Sequence, residues 1–391
     1  IYGLAPWIRT LPEFKDVVTL PQYLKKHGGY TSYSTGKIYH GGNGRRKNDK
    51  EFDILGPGAS GRPFPKKKIV TTPFGNHRLV DWGVFPHKDE DKGDWKVASW
   101  AVEQLDAKPK EPFFLSVGFF LPHVPCYTTQ KWWDLYPDDD TVLPKIRRDD
   151  RNDTPRFSWY LHWYLPEVRL KFLEEVNEWR NLARAYLACT SFIDSQVGRV
   201  LAALERNKLK ENTIVVLWSD HGYHHGEKGD WGKHTLWERT SNVPFVWAGP
   251  GLAKGATTDV TVSLIDMYPT FVELCDLPKT PHTLEGTSIA ATLADPNNAK
   301  DREVYLPHMF PESFAIMNME WRYIRYKDGS EELYNVQKDP NEWRNLAEQP
   351  KYVEIKKHLA EKAPKNFAKP APKRKSKRNL ILEGETFHWK K

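Results

Sequence analysis

Apolar and polar residues alternate along the chain in two periods, one typical of helices and one typical of strands. Residues 20–29, 94–108 and 179–207 carry apolar side chains at helical spacing, and the first of these segments ends in two glycines that suit a helix C-terminus. Asp94 stands where an N-cap residue would begin the second helix. Residues 263–277 show the same spacing and predict a further helix.

Short apolar runs lie between the predicted helices. Residues 112–123, 213–218 and 243–249 are of the kind that form strands buried on both faces of a parallel sheet. Residues 30–40 predict a strand that ends in a turn at Gly36. Because strands and helices alternate, the pattern predicts an α/β fold with one large mixed, mostly parallel sheet and helices on both faces.

The pattern changes at about residue 300. Beyond it, short segments alternate polar and apolar residues, and the sequence KDGSE at 327–331 predicts the turn of an antiparallel hairpin. We therefore expect a main domain over residues 1–299 and a small C-terminal α+β subdomain with an antiparallel sheet over residues 300–391. Within that subdomain, residues 362–378 form a basic, Pro-rich tether.

Composition narrows the class of protein. The 391 residues are 39% hydrophobic and 28% charged, which is typical of a soluble globular protein, and no apolar run approaches the ~20 residues of a membrane helix. The formal net charge is +7, but the tether holds eight Lys or Arg and no acidic residue, so the rest is nearly neutral. We expect neither a membrane nor a nucleic acid as partner; the tether could hold another polyanion or lie solvated along the surface. Three distant cysteines predict neither a disulfide framework nor a C-x-x-C metal site.

Titratable side chains follow the ends of three predicted strands. In chain order these residues are Lys37 and His40, then His123, then Asp220 and His221, with Lys233 thirteen residues after Asp220. Ligands of open α/β sheets bind beyond the carboxyl ends of the strands, so we expect these groups to converge.

Such a set of side chains suits one kind of chemistry. Asp220 would supply an oxygen ligand to Ca²⁺ or Mg²⁺, or to Zn²⁺ together with His221. Two lysines suit an anion such as sulfate or phosphate, and histidines carry protons near neutral pH. The set predicts removal of an oxyanion group from an ester, although no G-x-S-x-G or H-E-x-x-H motif supplies a nucleophile or a second metal ligand.

Several segments resemble the type I sulfatases of the alkaline-phosphatase superfamily. They read YSTGKIYHGG (33–42), LSVGFFLPHVP (115–125), SDHGYHHGEKGDWGKHTLWE (219–238), LIDMYPTFVELCDLP (264–278) and EELYNVQKDPNEWRNLAEQP (331–350). The K-x-x-H spacing of Lys37 and His40 is closest to the iduronate-2-sulfatase-like branch. The resemblance implies an alkaline-phosphatase-like fold and hydrolysis of sulfate esters on a carbohydrate, such as a sulfated polysaccharide or glycosaminoglycan oligosaccharide.

The resemblance also implies groups outside the chain. Sulfatases of this type begin with a strand that carries two Asp, followed by C-x-P-S-R or S-x-P-S-R, whose Cys or Ser becomes the formylglycine nucleophile. Ile1 would follow that motif, so we expect formylglycine and two metal ligands to be absent from these residues. The family further implies a periplasmic or extracellular location, or a lysosomal one in a eukaryote.

Residue roles follow from the same resemblance. Asp220 and His221 would bind Ca²⁺ or Mg²⁺. His221 could instead hydrogen-bond the sulfate or orient Asp220. Lys37 would hold the formylglycine hydrate, and Lys233 the sulfate oxygens. His40 would take a proton from the hydrate. His123 would protonate the leaving sugar oxygen.

Three more residues and two rival functions remain open. We expect Tyr223, His224 and His225 to line the substrate subsite, although the two histidines could also bind a second metal or lie on the surface. The aromatic-rich segment 156–179 would stack on sugars or pack against the main domain. The rivals are a phosphatase or phosphodiesterase of the same superfamily and a non-catalytic polyanion-binding relative. The pattern predicts no oligomeric state.

Overall fold

The computed structural model describes residues 11–40, 50–70, 80–161, 169–308, 312–367, 380–383 and 386–389. Its helices are α1 (Leu20–Gly28), α2 (Gly93–Asp106), α3 (Gln130–Trp133), α4 (Ser158–Leu161), α5 (Leu170–Glu175), α6 (Trp179–Arg206), α7 (Glu238–Ser241), α8 (Met267–Leu274), α9 (Ala290–Ala294) and α10 (Val353–Glu361). Its strands are β1 (Thr31–Gly36), β2 (Ile54–Gly58), β3 (Trp82–Val84), β4 (Phe113–Gly118), β5 (Cys126–Thr128), β6 (Val215–Trp218), β7 (His224–His225), β8 (Trp231–Gly232), β9 (Phe245–Ala248), β10 (Val304–Pro307), β11 (Phe314–Met317), β12 (Trp321–Arg325), β13 (Glu331–Asn335), β14 (Leu380–Glu383) and β15 (Thr386–Trp389).

A parallel three-stranded sheet in the order β2-β1-β4 carries the first part of the site. Its middle strand β1 is buried from Ser32 to Gly36. Helix α2 contacts all three strands and also α6, and it buries Val97, Ala101 and Leu105 along one stripe. This spacing of three to four residues is the amphipathic pattern that the sequence predicts for a helix on a sheet.

The long predicted helix over 179–207 is confirmed as α6, which has 28 residues. Its buried side chains include Leu182, Ala185, Cys189 and Phe192, which recur every three or four residues. They form a core with three buried tryptophans: Trp82, Trp133 and Trp231. Helix α6 therefore holds together elements from both halves of the chain.

The α/β class is confirmed, but the prediction that three strands are buried on both faces is wrong. Every residue of β4 is only half-buried. Strand β6 pairs antiparallel with β9, its one partner strand among the described residues, and Trp218 of β6 is 46% exposed. Apolar strand sequences do not report how many layers cover them, so periodicity alone overstated the burial.

The C-terminal antiparallel sheet is also confirmed, in the order β10-β11-β12-β13, and the hairpin falls at the predicted KDGSE turn. Alternate residues point to opposite faces of a strand. Ala315, Ile324 and Tyr334 pack on one face against buried residues that include Trp237, whereas the opposite face packs against α10. One face of this sheet thus rests on the segment that carries Lys233. The boundary at residues 299 and 300 stays a prediction.

Two helix starts differ from the prediction. Helix α2 begins at Gly93 after Lys92, so Asp94 is not its N-cap, and the Asp94 carboxylate instead accepts hydrogen bonds from another segment. The predicted helix over 263–277 is a 3₁₀ turn followed by the shorter α8, with a capping box formed by Ser263 and Asp266.

Two predictions lie partly outside the described residues. Residues 162–168 of the aromatic-rich segment and residues 368–378 of the tether are not described, so the choices left open for both segments stay predictions. Within the ranges given above, no helix combines the length and the apolar character needed to cross a membrane.

Candidate active site

Two facing glycines bring the ends of β1 and β4 together and place Lys37 between them. A Cβ atom on Gly36, whose φ is +75°, would lie 1.8 Å from the carbonyl oxygen of Gly118. A Cβ atom on Gly118 would lie 2.0 Å from the carbonyl oxygen of Lys37. The Lys37 N–H donates a hydrogen bond to Gly118 O at 2.6 Å. Only glycine permits this approach, which sets Lys37 beside the loop that follows β4.

That loop, residues 119–125, carries His123. The His123 N–H donates to Phe120 O at 3.1 Å, and the rings of these two residues lie 4.9 Å apart. The Nδ1 of His123 lies 2.7 Å from Val124 O, and a carbonyl oxygen only accepts. Nδ1 therefore carries the hydrogen, and Nε2 is the nitrogen that can exchange a proton with a ligand.

Asp220 and His221 follow β6. The Asp220 side chain is 63% exposed, so ligands can reach its carboxylate. Its Oδ2 lies 3.4 Å from Lys37 Nζ, and its Oδ1 lies 3.5 Å from His221 Nε2. The Nδ1 of His221 lies 2.8 Å from Gly222 O and must donate to it, so Nε2 of the neutral ring is an acceptor.

Lys233 reaches the same place from a short hairpin. Strands β7 and β8 pair antiparallel, with His225 opposite Trp231, and Lys233 follows β8 directly. Its Nζ lies 2.8 Å from His221 Nε2, the acceptor nitrogen identified above. An unbroken chain of contacts therefore runs from Lys37 through Asp220 and His221 to Lys233.

Burial and the charges of the two lysines together shift the pKa values of Asp220, His123 and His221. Partial burial acts to raise the pKa of Asp220, but the positive charges around it, those of both lysines among them, outweigh burial and lower that pKa. Burial lowers the pKa of His123 to about 4, and the charge of Lys233 adds to the shift. The same two causes lower the pKa of His221 to about 4. At neutral pH the cluster thus holds two cations, one anion and two neutral rings.

The structure brings together most of the residues predicted for the site. The predicted proximity of Lys37, Asp220, His221 and Lys233 is seen in their contacts, and His123 lies close enough for both lysine charges to lower its pKa. His40 is exposed at the edge of residues 41–49, which are not described, so its place in the site stays a prediction. The chemical roles of all six residues are predictions as well.

Tyr223, His224 and His225 lie beside the cluster and belong to a packed aromatic group. His225 stacks on Trp231, with ring centroids 5.0 Å apart, and Tyr223 packs against Tyr186 at 5.9 Å. His224 is buried, and its Nε2 lies 3.0 Å from Thr235 Oγ1. His225 is half-buried, and burial lowers the pKa of both histidines, for His225 to about 4. Their contact with substrate stays a prediction, and this packing gives His224 no opening to solvent.

A divalent cation would find one suitable donor here. Asp220 is an exposed carboxylate whose lowered pKa keeps it ionised, which fits one oxygen ligand of Ca²⁺ or Mg²⁺. Among the ranges that the structure describes, no three His, Cys, Asp or Glu side chains form a group able to hold a metal ion. Asp220 and His221 therefore fit as part of a ligand set rather than as a whole one.

Sequence reasoning missed one residue close to the site. Asp94 is 1% exposed, and its carboxylate accepts hydrogen bonds from the N–H groups of Phe120 and Leu121, in the loop that carries His123. The sequence offers no signal for this contact, because the partners lie 26 and 27 residues away from Asp94. The sequence pattern instead indicated a helix N-cap at Asp94, a role that needs no distant partner.

Comparison with known proteins gives the class of the molecule. The solved structure of BT1596, a 2-O GAG sulfatase, aligns with a TM-score of 0.66 and 25% identity over 88% of this chain and 73% of that one. The architecture is therefore the alkaline-phosphatase-like fold of sulfatases. Residues 10–277 match the family described as Sulfatase, and residues 226–369 match N-sulphoglucosamine sulphohydrolase, C-terminal.

Individual relatives agree with this assignment. A sulfatase of Formosa agariphila is 37% identical over 361 residues, which cover 89% of this chain and 70% of that protein. A choline-sulfatase of Rhizobium meliloti is 28% identical over 86% of this chain and 68% of its own length. Iduronate 2-sulfatase of Mus musculus is 27% identical over 67% of this chain and 55% of its own length. The chain belongs to the sulfatase family, which indicates sulfuric ester hydrolysis.

Proposed function

We propose that this protein hydrolyses sulfate esters of a carbohydrate, such as a sulfated polysaccharide or a glycosaminoglycan oligosaccharide. The observation that carries the proposal is the chain of contacts from Lys37 through Asp220 and His221 to Lys233, all within 3.5 Å of a neighbour. Two ammonium groups beside one exposed carboxylate suit an anionic ester whose charge grows on the leaving oxygen as the bond to sulfur breaks.

Lys233 would bind the sulfate oxygens, and Lys37 would bind the attacking group. Lys233 Nζ now faces a neutral imidazole and would turn to an anionic oxygen at little cost. His123 would protonate the leaving oxygen from Nε2. Its pKa of about 4 is set by burial and by the lysine charges, so a bound sulfate ester, which offsets those charges, would raise that pKa and favour the protonated form.

Two groups outside the described residues complete the proposal. Asp220 would provide one ligand to a divalent cation, proposed as Ca²⁺, which when bound would neutralise charge on the sulfuryl oxygens. A formylglycine hydrate, made from a Cys or Ser that is not in this chain, would supply the attacking oxygen. His40 would accept a proton on the nucleophile side of the site. We expect the protein to act in the periplasm or outside the cell, or in the lysosome if it comes from a eukaryote.

The preference for a carbohydrate has its own support. Tyr223 lies two residues beyond His221 and packs with Tyr186 and Trp231, and aromatic faces of this kind suit sugar rings. BT1596, the solved structure compared above, is a 2-O GAG sulfatase. Because one relative is a choline-sulfatase, choline sulfate must be tested as an alternative substrate.

The test is sulfate release by the full-length protein from a panel of substrates. The panel contains defined sulfated oligosaccharides, choline sulfate, 4-nitrophenyl sulfate and 4-nitrophenyl phosphate, each assayed before and after calcium removal by a chelator. We expect turnover of a sulfated oligosaccharide above that of choline sulfate, with loss on chelation and recovery with added Ca²⁺.

Other outcomes favour the rivals. Faster turnover of the phosphate ester would indicate a phosphatase, and binding of sulfated oligosaccharides without turnover of any ester would indicate a polyanion-binding relative. The cation has a separate readout: Ca²⁺ should raise the melting temperature of the wild type and not that of Asp220→Asn, since the amide removes the charged ligand.

A further inference from the structure

We propose that Asp94 is a positioning residue for His123: its carboxylate clamps the two backbone N–H groups at the start of the loop and so fixes the direction of the His123 ring. The proposal rests on the proposed role of His123 as the group that protonates the leaving oxygen. It concerns the geometry of the loop, since Asp94 itself touches no reacting atom.

The contact has the form of a fork. The Phe120 N–H donates to Oδ1 of Asp94 at 2.8 Å, and the Leu121 N–H donates to Oδ2 at 3.0 Å. Both oxygens are therefore engaged, each by one of two consecutive peptide groups. Asp94 sits in the first turn of α2, a helix packed against both the parallel sheet and α6, so the clamp is anchored to a rigid element.

The clamp is tied closely to His123. The carbonyl of Phe120 accepts the His123 N–H at 3.1 Å, and the Phe120 ring contacts the His123 ring. On the far side of the loop, the Cys126 thiol donates weakly to Pro122 O at 3.4 Å. A shift of the peptide groups at 120 and 121 would therefore move His123, and a misplacement of about 1 Å at a reacting group costs on the order of 10²-fold in rate.

A carboxylate at this place has a cost, which argues for a specific use. Asp94 is buried, and burial raises its pKa to about 6, despite the two N–H bonds and the nearby charge of Lys92. An asparagine would avoid the charge, but its side chain has a single acceptor oxygen, and its NH₂ group would face the second N–H. Only the carboxylate satisfies both peptide groups together.

The test uses the leaving group of the substrate as the readout. The sugar oxygen of a sugar sulfate is a poor leaving group and needs protonation as its bond to sulfur breaks, whereas 4-nitrophenolate leaves without a proton. For Asp94→Asn in the full-length protein, we expect kcat/KM to fall by about 30- to 100-fold on the sugar sulfate and by less than about 3-fold on 4-nitrophenyl sulfate. His123→Ala should show the same selectivity more strongly, and the double variant should resemble His123→Ala alone.

Asp266→Asn is the control for loss of a buried carboxylate that accepts two backbone N–H groups, and it also removes an ion pair with Arg302. Asp266 is buried and accepts the N–H of Ser263 on one oxygen at 2.7 Å and that of Thr287 on the other at 2.8 Å, in a segment that carries none of the predicted site residues. Its substitution should lower the melting temperature and leave the ratio of kcat/KM between the two substrates at the wild-type value.

Each failure points to a different error. Absence of sulfate release by the wild type would reject the proposed function, and an unchanged ratio in His123→Ala would reject the role of His123. Suppose the wild type releases sulfate and His123→Ala changes the ratio. The positioning role is then overturned if Asp94→Asn lowers kcat/KM equally on the two substrates, or if its effect on kcat/KM adds fully to that of His123→Ala. Should Asp94→Asn be too unstable to assay, Asp94→Glu keeps the charge, displaces the carboxylate by one methylene, and must alter the ratio in the same direction.

Discussion

The His123 loop, residues 119–125, and the Lys233 segment, residues 224–242, meet at one site but are held in opposite ways. The first is fixed by hydrogen bonds from its own peptide groups to Asp94, within the main sheet and its helices. The second is fixed by a buried ion pair to Asp150 and by hydrogen bonds to Glu342 in the C-terminal part of the chain. One half of the site is thus supported within residues 94–125, and the other half also depends on residues of the C-terminal part of the chain.

The ion pairs of the Lys233 segment form a continuous group. Lys228 is 2% exposed and lies 2.7 Å from Asp150, which is 3% exposed, and it also donates to the carbonyl oxygen of Glu342. The Glu342 carboxylate pairs with Arg322 of β12 at 2.9 Å and accepts the N–H of Glu238 at 2.8 Å. Because charges of both signs are buried together, removal of one partner leaves another uncompensated.

This difference has a physical consequence. Loss of one hydrogen bond to a loop costs about 1–3 kcal/mol and is expected to alter position. Loss of one partner from a buried ion pair costs about 3–5 kcal/mol and is expected to alter folding. Substitution of Asp94 should therefore mainly lower activity, whereas substitution in the buried ion pairs should mainly lower stability.

The largest stability effect is expected for Lys228→Met. Methionine keeps the length of the side chain but leaves the Asp150 carboxylate buried without its cation, so we expect the free energy of unfolding to fall by about 3–5 kcal/mol. Urea denaturation of the full-length protein measures it. Lys210→Met, which removes an exposed pair with Glu205 at 3.2 Å, is the control and should change stability by no more than about 1 kcal/mol. Equal effects of the two variants would show that the buried pair does not support the segment.

A smaller effect that depends on pH is expected for Glu342→Gln. Burial raises the pKa of Glu342 to about 7, although the charge of Arg322 opposes the shift. The folded protein then binds more protons than the unfolded chain between the ordinary carboxyl pKa and pH 7, so this group stabilises the fold at acid pH and loses that contribution as the pH rises. Melting temperatures from pH 4.5 to pH 8 should therefore fall less steeply in the variant than in the wild type. Parallel curves would contradict the raised pKa of this carboxyl.

The smallest effect is expected for Cys126→Ala, which removes the weak thiol contact to Pro122 O. We expect a loss of about 1 kcal/mol in stability, from the small cavity, and little change in the ratio of kcat/KM between a sugar sulfate and 4-nitrophenyl sulfate. A change of this ratio as large as that of Asp94→Asn would show that the Cys126 thiol, rather than the Asp94 carboxylate, positions His123.

The sequence predicted which residues converge at the site better than it predicted the residues that support them. Lys37, Asp220 and Lys233 were predicted to converge because strand ends meet at one edge of an α/β sheet, a rule that needs no knowledge of packing. Lys228 gave no such signal: within GEKGD it looks like a loop lysine, and its burial depends on Asp150 and Glu342, 78 and 114 residues away. Asp94 was assigned to a helix cap because local rules compete with tertiary contacts that the sequence does not display.

Burial was the other property that the pattern misjudged. Strand β6 has the apolar composition of a covered strand, yet Trp218 is exposed, while the polar pair His224 and Thr235 is buried. Side-chain polarity records an average preference, whereas the burial of one residue depends on which elements pack over it.

Both halves of the site are expected to bind one anionic ester. The test is sulfate release by the Lys233→Ala variant of the full-length protein, measured as kcat/KM on the best sulfated oligosaccharide. Lys210→Ala is the control variant. If Lys233 binds the sulfate oxygens, kcat/KM should fall by about 10²- to 10³-fold, with the melting temperature near that of the wild type. A Lys233→Ala protein that keeps wild-type kcat/KM would contradict the account, because the contact between Lys233 and His221 would then have no part in the reaction.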